Sequence, residues 1–287
     1  MAQPEREAAG ATARERRAAE RSASHGQWRT AITQIEPNKI LIRGYPVDEI
    51  MGRMNFAEAI YLLLVGEVPT PTVGKMLGAV LISSLDHGVT PPSTLAARNI
   101  ATTGAPLRAS VAGGVLAFGP RHGGDIESCM RFLDSGLALV RNNIKLDQAA
   151  SEIVKRCLDR GEMPPGFGHR FHTRDPRAAR LFQMALELEL EGDHIRMIRA
   201  VERALEARPD NAAHPLPTNV DGAIAAVCGD LGFAYELGNA MFIMSRVPGL
   251  IAHAHEEQRR QDPMRQIDPK DHSYDGPPER RLPETRR

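Results

Sequence analysis

Three short runs in this chain of 287 residues place a histidine or an aspartate in a glycine-containing turn beside an apolar stretch. They are Phe118-Gly119-Pro120-Arg121-His122-Gly123-Gly124, Pro165-Gly166-Phe167-Gly168-His169-Arg170-Phe171-His172-Thr173-Arg174-Asp175-Pro176-Arg177, and Thr218-Asn219-Val220-Asp221-Gly222. The middle run is the richest. Gly166 and Gly168 bracket Phe167 and deliver His169, and glycines let a backbone turn sharply and approach a ligand closely. Arg177 falls in the first turn of an expected helix, with Asp175 as its N-cap and Pro176 at its first position. An arginine can meet a carboxylate with a two-pronged hydrogen bond. Taken alone, the run is explained as well by a glycine-rich loop with a solvated histidine. Asp221, just before another helical pattern, has two readings, as a helix cap and as an acid or base.

The elements that must position these residues are helices. From Phe56 onward the apolar spacing is helical, with Phe56, Ala59, Ile60, Leu63 and Leu64 expected on one face. Further helices are expected over 76–85, 94–102, 107–118, 126–140, 148–158, 181–191, 195–207, 224–231, 235–244 and 250–260. Ala109, Ala112, Gly113 and Gly114 permit close helix packing. The strand signal is a short run over 40–42, closed by Gly44 and Pro46. The expected class is all-α, with no repeat of fixed period. Residues 1–27, mostly Ala, Arg and Glu, have too few large apolar side chains to bury themselves and are expected to be a disordered tail. Residues 262–287, rich in proline and charge, are expected to form an extended arm.

Composition narrows the function classes. Hydrophobic residues make up 42%, ordinary for a globular protein that keeps a core. The 36 Lys and Arg balance the 36 Asp and Glu, so net charge offers no case for nucleic acid. No apolar run reaches membrane-span length, and the N-terminus lacks the apolar core of a secretory signal. Cys129, Cys157 and Cys228 are odd in number and form no C-x-x-C pair. Free thiols in a reducing cytoplasm are expected, and no metal site.

The three runs, taken in order with other fragments, resemble the citrate synthase family. Lys39-Ile40-Leu41-Ile42-Arg43-Gly44-Tyr45-Pro46-Val47 is similar to the family's early strand-turn motif, and the run from Phe56 to Thr70 to the helix after it. Asp86-His87-Gly88 and Ser245-Arg246-Val247-Pro248-Gly249-Leu250-Ile251-Ala252-His253 are similar to two further motifs, and the resemblance covers roughly residues 35–275. It implies chemistry that makes or breaks a carbon–carbon bond beside a thioester. Such chemistry needs a base for a weakly acidic C–H and donors for two developing oxyanions. By motif, Asp221 is implied as the base, His122 as the donor to the thioester oxygen, and His169 as the donor to the oxo-acid carbonyl. In cleavage, His169 takes the hydroxyl proton and Asp221 returns one to the acetyl enolate. The resemblance also implies that His87, Arg177 and Arg246 bind the polycarboxylate, and that Gly166, Phe167 and Gly168 lie along coenzyme A. The thioester is then a substrate, and no other cofactor is implied.

Two departures set the expected direction. Citrate synthases proper carry a tail arginine, lent to the neighbouring subunit; here the segment is Asp268-Pro269-Lys270-Asp271-His272-Ser273-Tyr274, whose only cation is Lys270. Synthases also follow the aspartate with an aromatic residue, where this chain has Gly222. Both features are more similar to the citryl-CoA lyase module of ATP citrate lyase, although His122 is retained as in synthases, and the short chain suits a free-standing lyase. The expected activity is citryl-CoA lyase, giving acetyl-CoA and oxaloacetate. The alternatives are citrate or 2-methylcitrate synthase and, from another class, a non-catalytic acyl-CoA-binding regulator. The expected organisation is a tail (1–27), a large domain (28–131 and 236–261), a smaller inserted domain (132–235) and an arm (262–287), assembled as a homodimer or higher homo-oligomer.

Overall fold

Near the start of the described chain, two turns fold a short stretch back on itself. Pro37 and Asn38, the latter at φ 61°, join β1 (Thr33–Glu36) to β2 (Lys39–Ile42). Arg43 and Gly44, both at positive φ, join β2 to β3 (Tyr45–Pro46), the geometry that suits a tight hairpin. The three strands form an antiparallel sheet in sequence order, with Gln34 opposite Leu41 and Ile42 opposite Tyr45. A short helix, α1 (Val47–Ile50), follows. The sequence signals only β2, because the flanking strands carry exposed polar residues and take their form from pairing.

A computed structural model describes residues 28–119, 122–123, 125–168, 174–208 and 216–282. The chain divides into two compact units, Met1–Met54, which holds the small sheet, and Asn55–Arg287. The expected tail over 1–27 lies outside the described residues.

The second unit is helical throughout its regular structure. It runs through α2 (Phe56–Val65), α3 (Pro71–Ser83), α4 (Pro92–Ala101), α5 (Leu107–Leu116), α6 (Asp125–Arg141), α7 (Leu146–Asp159), α8 (Pro176–Glu187), α9 (Asp193–Glu206), α10 (Val220–Asp230) and α11 (Gly238–Arg260). The all-α expectation holds. Asn55 and Glu58 form a reciprocal capping box at the start of α2. That box fixes the phase of the helix, so Ala57, Ile60 and Leu62 are buried while Phe56 is 81% exposed. The expected face therefore holds at Ile60, with Ala59 and Leu64 half-buried, but fails at Phe56 and Leu63, whose places in the core are taken by Ala57 and Leu62.

Two packing groups matter for function. In one, α11 lies across α3, α4 and α5. Gly114 lets α5 close on Ala97 of α4 and Leu250 of α11, where an added Cβ would come within 3.2 Å of Ala97. In the other, α6, α7, α9 and α10 pack together, with α8 against α10. One hydrophobic cluster runs from Ala57 to Phe242, joining α2, α3 and the start of α11 to α6, α7, α8, α9 and α10.

The sequence pattern predicts two helices over 235–260, but one continuous helix spans Gly238–Arg260 with Pro248 inside it. Proline removes a helical N–H, so tertiary contacts must hold the axis through that point. Before it, Ser245 donates to the Leu81 carbonyl and Arg246 Nε to the Ser84 carbonyl. After it, Gly249, Leu250 and Ala254 are buried. Beyond α11, residues 262–282 are exposed. The root of this stretch is pinned to the same chain. Met264 N–H donates to the Thr102 carbonyl at 2.9 Å, and Arg265 pairs with fully buried Glu257, which also binds Arg98 Nε at 2.7 Å.

Candidate active site

Six segments converge in the second unit. The turn before α6 is closed by two backbone hydrogen bonds between Gly119 and His122, at 2.8 and 2.9 Å. His122 Nε2 lies 2.8 Å from Ser93 Oγ of α4. The ring sits edge-on to Phe242, with centroids 5.8 Å apart, and beside Phe118. Burial pulls the His122 pKa down, and the charges of Arg246 and His87 add to this. At neutral pH it is therefore a neutral imidazole, able to donate from one nitrogen and accept at the other.

Arg246 is buried, at 2% exposure. Its guanidinium lies over the Phe242 ring, 4.8 Å from the centroid. Nε donates to the Ser84 carbonyl at 2.9 Å, while Nη1 is buried with no hydrogen-bond partner among the described residues. A buried cationic nitrogen without an acceptor is costly, and an anionic ligand would satisfy it. His87 follows α3 in the Asp86-His87-Gly88 turn, where the Gly88 N–H donates to Asp86 at 2.9 Å. Asp86 also meets His253 of α11 at 3.0 Å, and its charge reaches Arg246.

Arg177 occupies the first turn of α8, where the sequence places it. Asp175 is the N-cap, as expected, but it does more. It accepts the Arg177 backbone N–H at 2.9 Å and grips the guanidinium through Nε at 3.0 Å and Nη2 at 2.8 Å. It also accepts the Val220 N–H at the start of α10, at 3.1 Å. One buried carboxylate thus joins two helix starts and aims the arginine.

Asp221 sits in the first turn of α10, and the N-cap is Asn219, whose side chain accepts the Gly222 N–H at 3.0 Å. The cap reading of Asp221 is therefore overturned, which leaves its carboxylate free for other work. Its Oδ1 is sealed from solvent and has no hydrogen-bond partner among the described residues. Burial raises the Asp221 pKa to about 6, with Asp125 adding to the rise and Arg177 and Arg246 opposing it. A carboxylate poised near neutrality, facing two arginines, is suited to proton transfer.

The loop of Gly166, Phe167 and Gly168 crosses this aspartate. Phe167 pairs with Thr218 in an isolated bridge. Gly168 N–H donates to the Pro217 carbonyl, Asn219 N–H to the Gly166 carbonyl, and Asn219 Nδ2 to the Gly168 carbonyl. Gly166 and Gly222 meet backbone to backbone: a Cβ on Gly222 would strike the Gly166 carbonyl, and one on Gly166 would lie 2.7 Å from Gly222 Cα. Gly222 is small because the loop passes there. His169 lies outside the described residues.

The geometry therefore brings His122, Arg246, Arg177, Asp221 and the glycine loop together, with the charge of His87 felt at His122. Sequence reasoning missed Ser93, Phe242, Asp125 and the ion-pairing role of Asp175. Only Asp175 left a signal, as a cap two residues before an arginine. Among the described residues, no group of three or more His, Cys, Asp or Glu side chains is arranged to hold a metal ion. The three cysteines are free and buried, and burial pushes the Cys228 thiol up to about 12.

This fold has known counterparts. The chain belongs to the citrate synthase family: the model of the citrate synthase C-terminal domain matches residues 69–267. The solved structure of citryl-CoA lyase from Hydrogenobacter thermophilus is 41% identical, with a TM-score of 0.81, and the match covers 89% of this chain and 97% of that one. Citrate synthase from Pyrobaculum aerophilum is 28% identical at a TM-score of 0.63, over 80% of this chain and 55% of that one. Citrate synthase 2 of Bacillus subtilis is 31% identical over 206 residues, 70% of this chain and 52% of its own length. The chain spans about half the length of the curated relatives it matches.

Proposed function

We propose that the protein is a citryl-CoA lyase, cleaving citryl-CoA to acetyl-CoA and oxaloacetate. The observation that carries this reading is the 41% identity to a citryl-CoA lyase over 97% of that chain. The site chemistry agrees. Arg246, with a buried and unpartnered Nη1, and Arg177, aimed by Asp175, would hold carboxylates of the citryl group, with His87 beside them. His169 would take the proton of the citryl hydroxyl as the carbon–carbon bond breaks. The electron pair would move onto the thioester enolate, whose oxygen His122 would hydrogen-bond. Asp221 would then protonate the enolate carbon to give the acetyl methyl. Backbone of Gly166, Phe167 and Gly168 would lie along coenzyme A, a substrate component, with no further cofactor.

We also read 132–235 as a smaller domain closing on the rest around the ligand, and the protein as a cytoplasmic homodimer or higher homo-oligomer. Exposed Ile82, Leu95, Leu116 and Ile251, on four neighbouring helices, support association. Among the described residues no helix is long and apolar enough to cross a membrane.

Citrate synthase activity is the second reading, favoured by relatives such as the Bacillus subtilis protein and by His122. A synthase must hydrolyse citryl-CoA to citrate and free coenzyme A, whereas a lyase keeps water from the thioester. With citryl-CoA supplied, oxaloacetate followed through coupled malate dehydrogenase should outpace thiol release followed with a chromogenic reagent. Dominant thiol release, or rapid stoichiometric citrate from acetyl-CoA plus oxaloacetate, would replace the lyase reading with the synthase one.

A further inference from the structure

Asp125, the first residue of α6, lies three positions after His122 and belongs to none of the site motifs. Its Oδ2 accepts the Gly166 N–H at 2.7 Å, across 41 residues of sequence. On its other side, Gly166 touches the start of α10: its carbonyl accepts the Asn219 N–H at 3.0 Å, and its Cα packs on Gly222. Cys129, one turn along α6, lies against the same glycine and feels the charges of both Asp125 and Asp221. The glycine loop is thus sandwiched between a carboxylate on α6 and the carboxylate-bearing turn of α10, and the two negative charges share one poorly solvated space.

We propose that Asp125 is a positioning residue for the reaction, clamping the loop through Gly166 against the turn that bears Asp221, with its charge acting across that loop in favour of the form of Asp221 that delivers a proton to the enolate carbon. The direction of use rests on the lyase reading, since cleavage needs Asp221 as an acid. The coupling between the two carboxylates does not rest on it. Asp125 itself is pushed up by burial, against the Gly166 hydrogen bond. Among the described residues, the charged and titratable groups around Asp221 are Asp125 and Cys129 on α6, Asp175 at the cap of α8 and Arg177 in its first turn, and Arg246 on α11. Asp125 has the larger effect of the two negative charges in that set, ahead of Asp175, and Arg177 and Arg246 work against it.

The sign follows directly. A neighbouring carboxylate favours the protonated form of Asp221, so removing its charge lowers the pH at which Asp221 loses its proton. Asp125→Asn keeps an oxygen for the Gly166 N–H but removes the charge. In this variant the falling limb of the pH profile of kcat/KM for citryl-CoA cleavage should move down by about one pH unit, the scale of a close charge–charge effect. Well above the limb, cleavage should fall by about tenfold, because that shift reduces the protonated fraction tenfold. KM should stay within about twofold. Asp125→Ala also loses the acceptor and should raise KM, while Asp125→Glu should restore the limb. A purely structural role would change rates without moving the limb.

The coupling is measured without turnover by carbon-13 carboxyl NMR of aspartate-labelled protein free of ligand, with Asp221 assigned by its absence in Asp221→Asn. The Asp221 midpoint should drop by about one unit in Asp125→Asn. Reciprocally, the Asp125 midpoint should drop in Asp221→Asn, a reading that survives even if Asp125→Asn does not fold. If the wild type performs no citryl-CoA cleavage but the midpoints move, the lyase reading fails and the coupling stands. Midpoints that do not move, or that move upward, overturn the proposal.

Discussion

At the scale of single residues, the site keeps an acid in a place that opposes its charge. Asp221→Asn should lower turnover by about two to four powers of ten, the usual cost of losing a positioned acid or base, while ligand binding remains. If the purified variant keeps half the wild-type rate, Asp221 does not transfer the proton. The same substitution should stabilise the fold. The Asp221 pKa is about 6 in the folded protein against 3.8 ordinarily, so the unfolded chain releases this proton first as pH rises. Stability is therefore lost between roughly pH 4 and 6 and stays lower at neutrality, by at most about 3 kcal/mol from the two-unit rise. Urea unfolding at pH 7 should show a higher midpoint for Asp221→Asn; a lower one would mean the charge is not strained. A second test concerns Gly222. In an ordinary helix, glycine to alanine stabilises by up to about 1 kcal/mol. Here the new Cβ meets the Gly166 carbonyl, which is backbone and cannot swing aside, so Gly222→Ala should destabilise by about 1–3 kcal/mol. The sign of that change in urea decides the matter. The motif residues were legible because each sits in a short glycine signature. Ser93 and Asp125 were not, because their partners, His122 and Gly166, lie 29 and 41 residues away and no local pattern announces such a contact.

At the scale of elements, helix starts do most of the positioning. Asn219 caps α10 and ties the glycine loop, and Asp175 caps α8 and reaches across to α10. The start of α9 is held in a related way. Asp230 at the end of α10 accepts the backbone N–H of Gly192, His194 and Ile195, and meets His194 Nδ1 at 3.0 Å, while Nε2 faces Asp134. Burial alone would lower the His194 pKa, but the hydrogen bonds to Asp230 and Asp134 outweigh it, and the pKa is raised above 6.5. A raised histidine stabilises fully below its unfolded pKa and loses that contribution as pH climbs through the folded value. The unfolding free energy of the wild type minus that of His194→Asn should therefore shrink as pH rises from about 6.5 upward. A constant difference across that window would leave His194 a packing residue only. Most helices were legible from their apolar period, with ends misplaced by a few positions. The join across Pro248 was not, because the contacts of Ser245, Arg246 and Leu250 that carry the helix through are tertiary.

At the scale of the whole molecule, the all-α class was legible because nearly every apolar run has helical spacing. The small sheet was hidden because pairing, not side-chain pattern, makes its outer strands. Apolar side chains on α3, α4, α5 and α11 remain uncovered, Ile82 at 70% and Leu116 at 84% exposure. Light scattering at micromolar concentration should show at least a dimer of the 31.4 kDa chain; a species of that mass alone would contradict this. The backbone contact between Gly166 and Gly222 carries a lesson for anyone recombining this chain with its relatives. Residues 165–168 and 218–222 are far apart in the gene but fit one another atom against atom, so they can be exchanged only as a pair. A crossover anywhere between them, joining this loop to a parent with a side chain after the aspartate, would drive that side chain into the Gly166 carbonyl. Breakpoints outside 165–222 keep the two halves of the fit from one parent, and chimeric libraries built on this scaffold have their natural seams there.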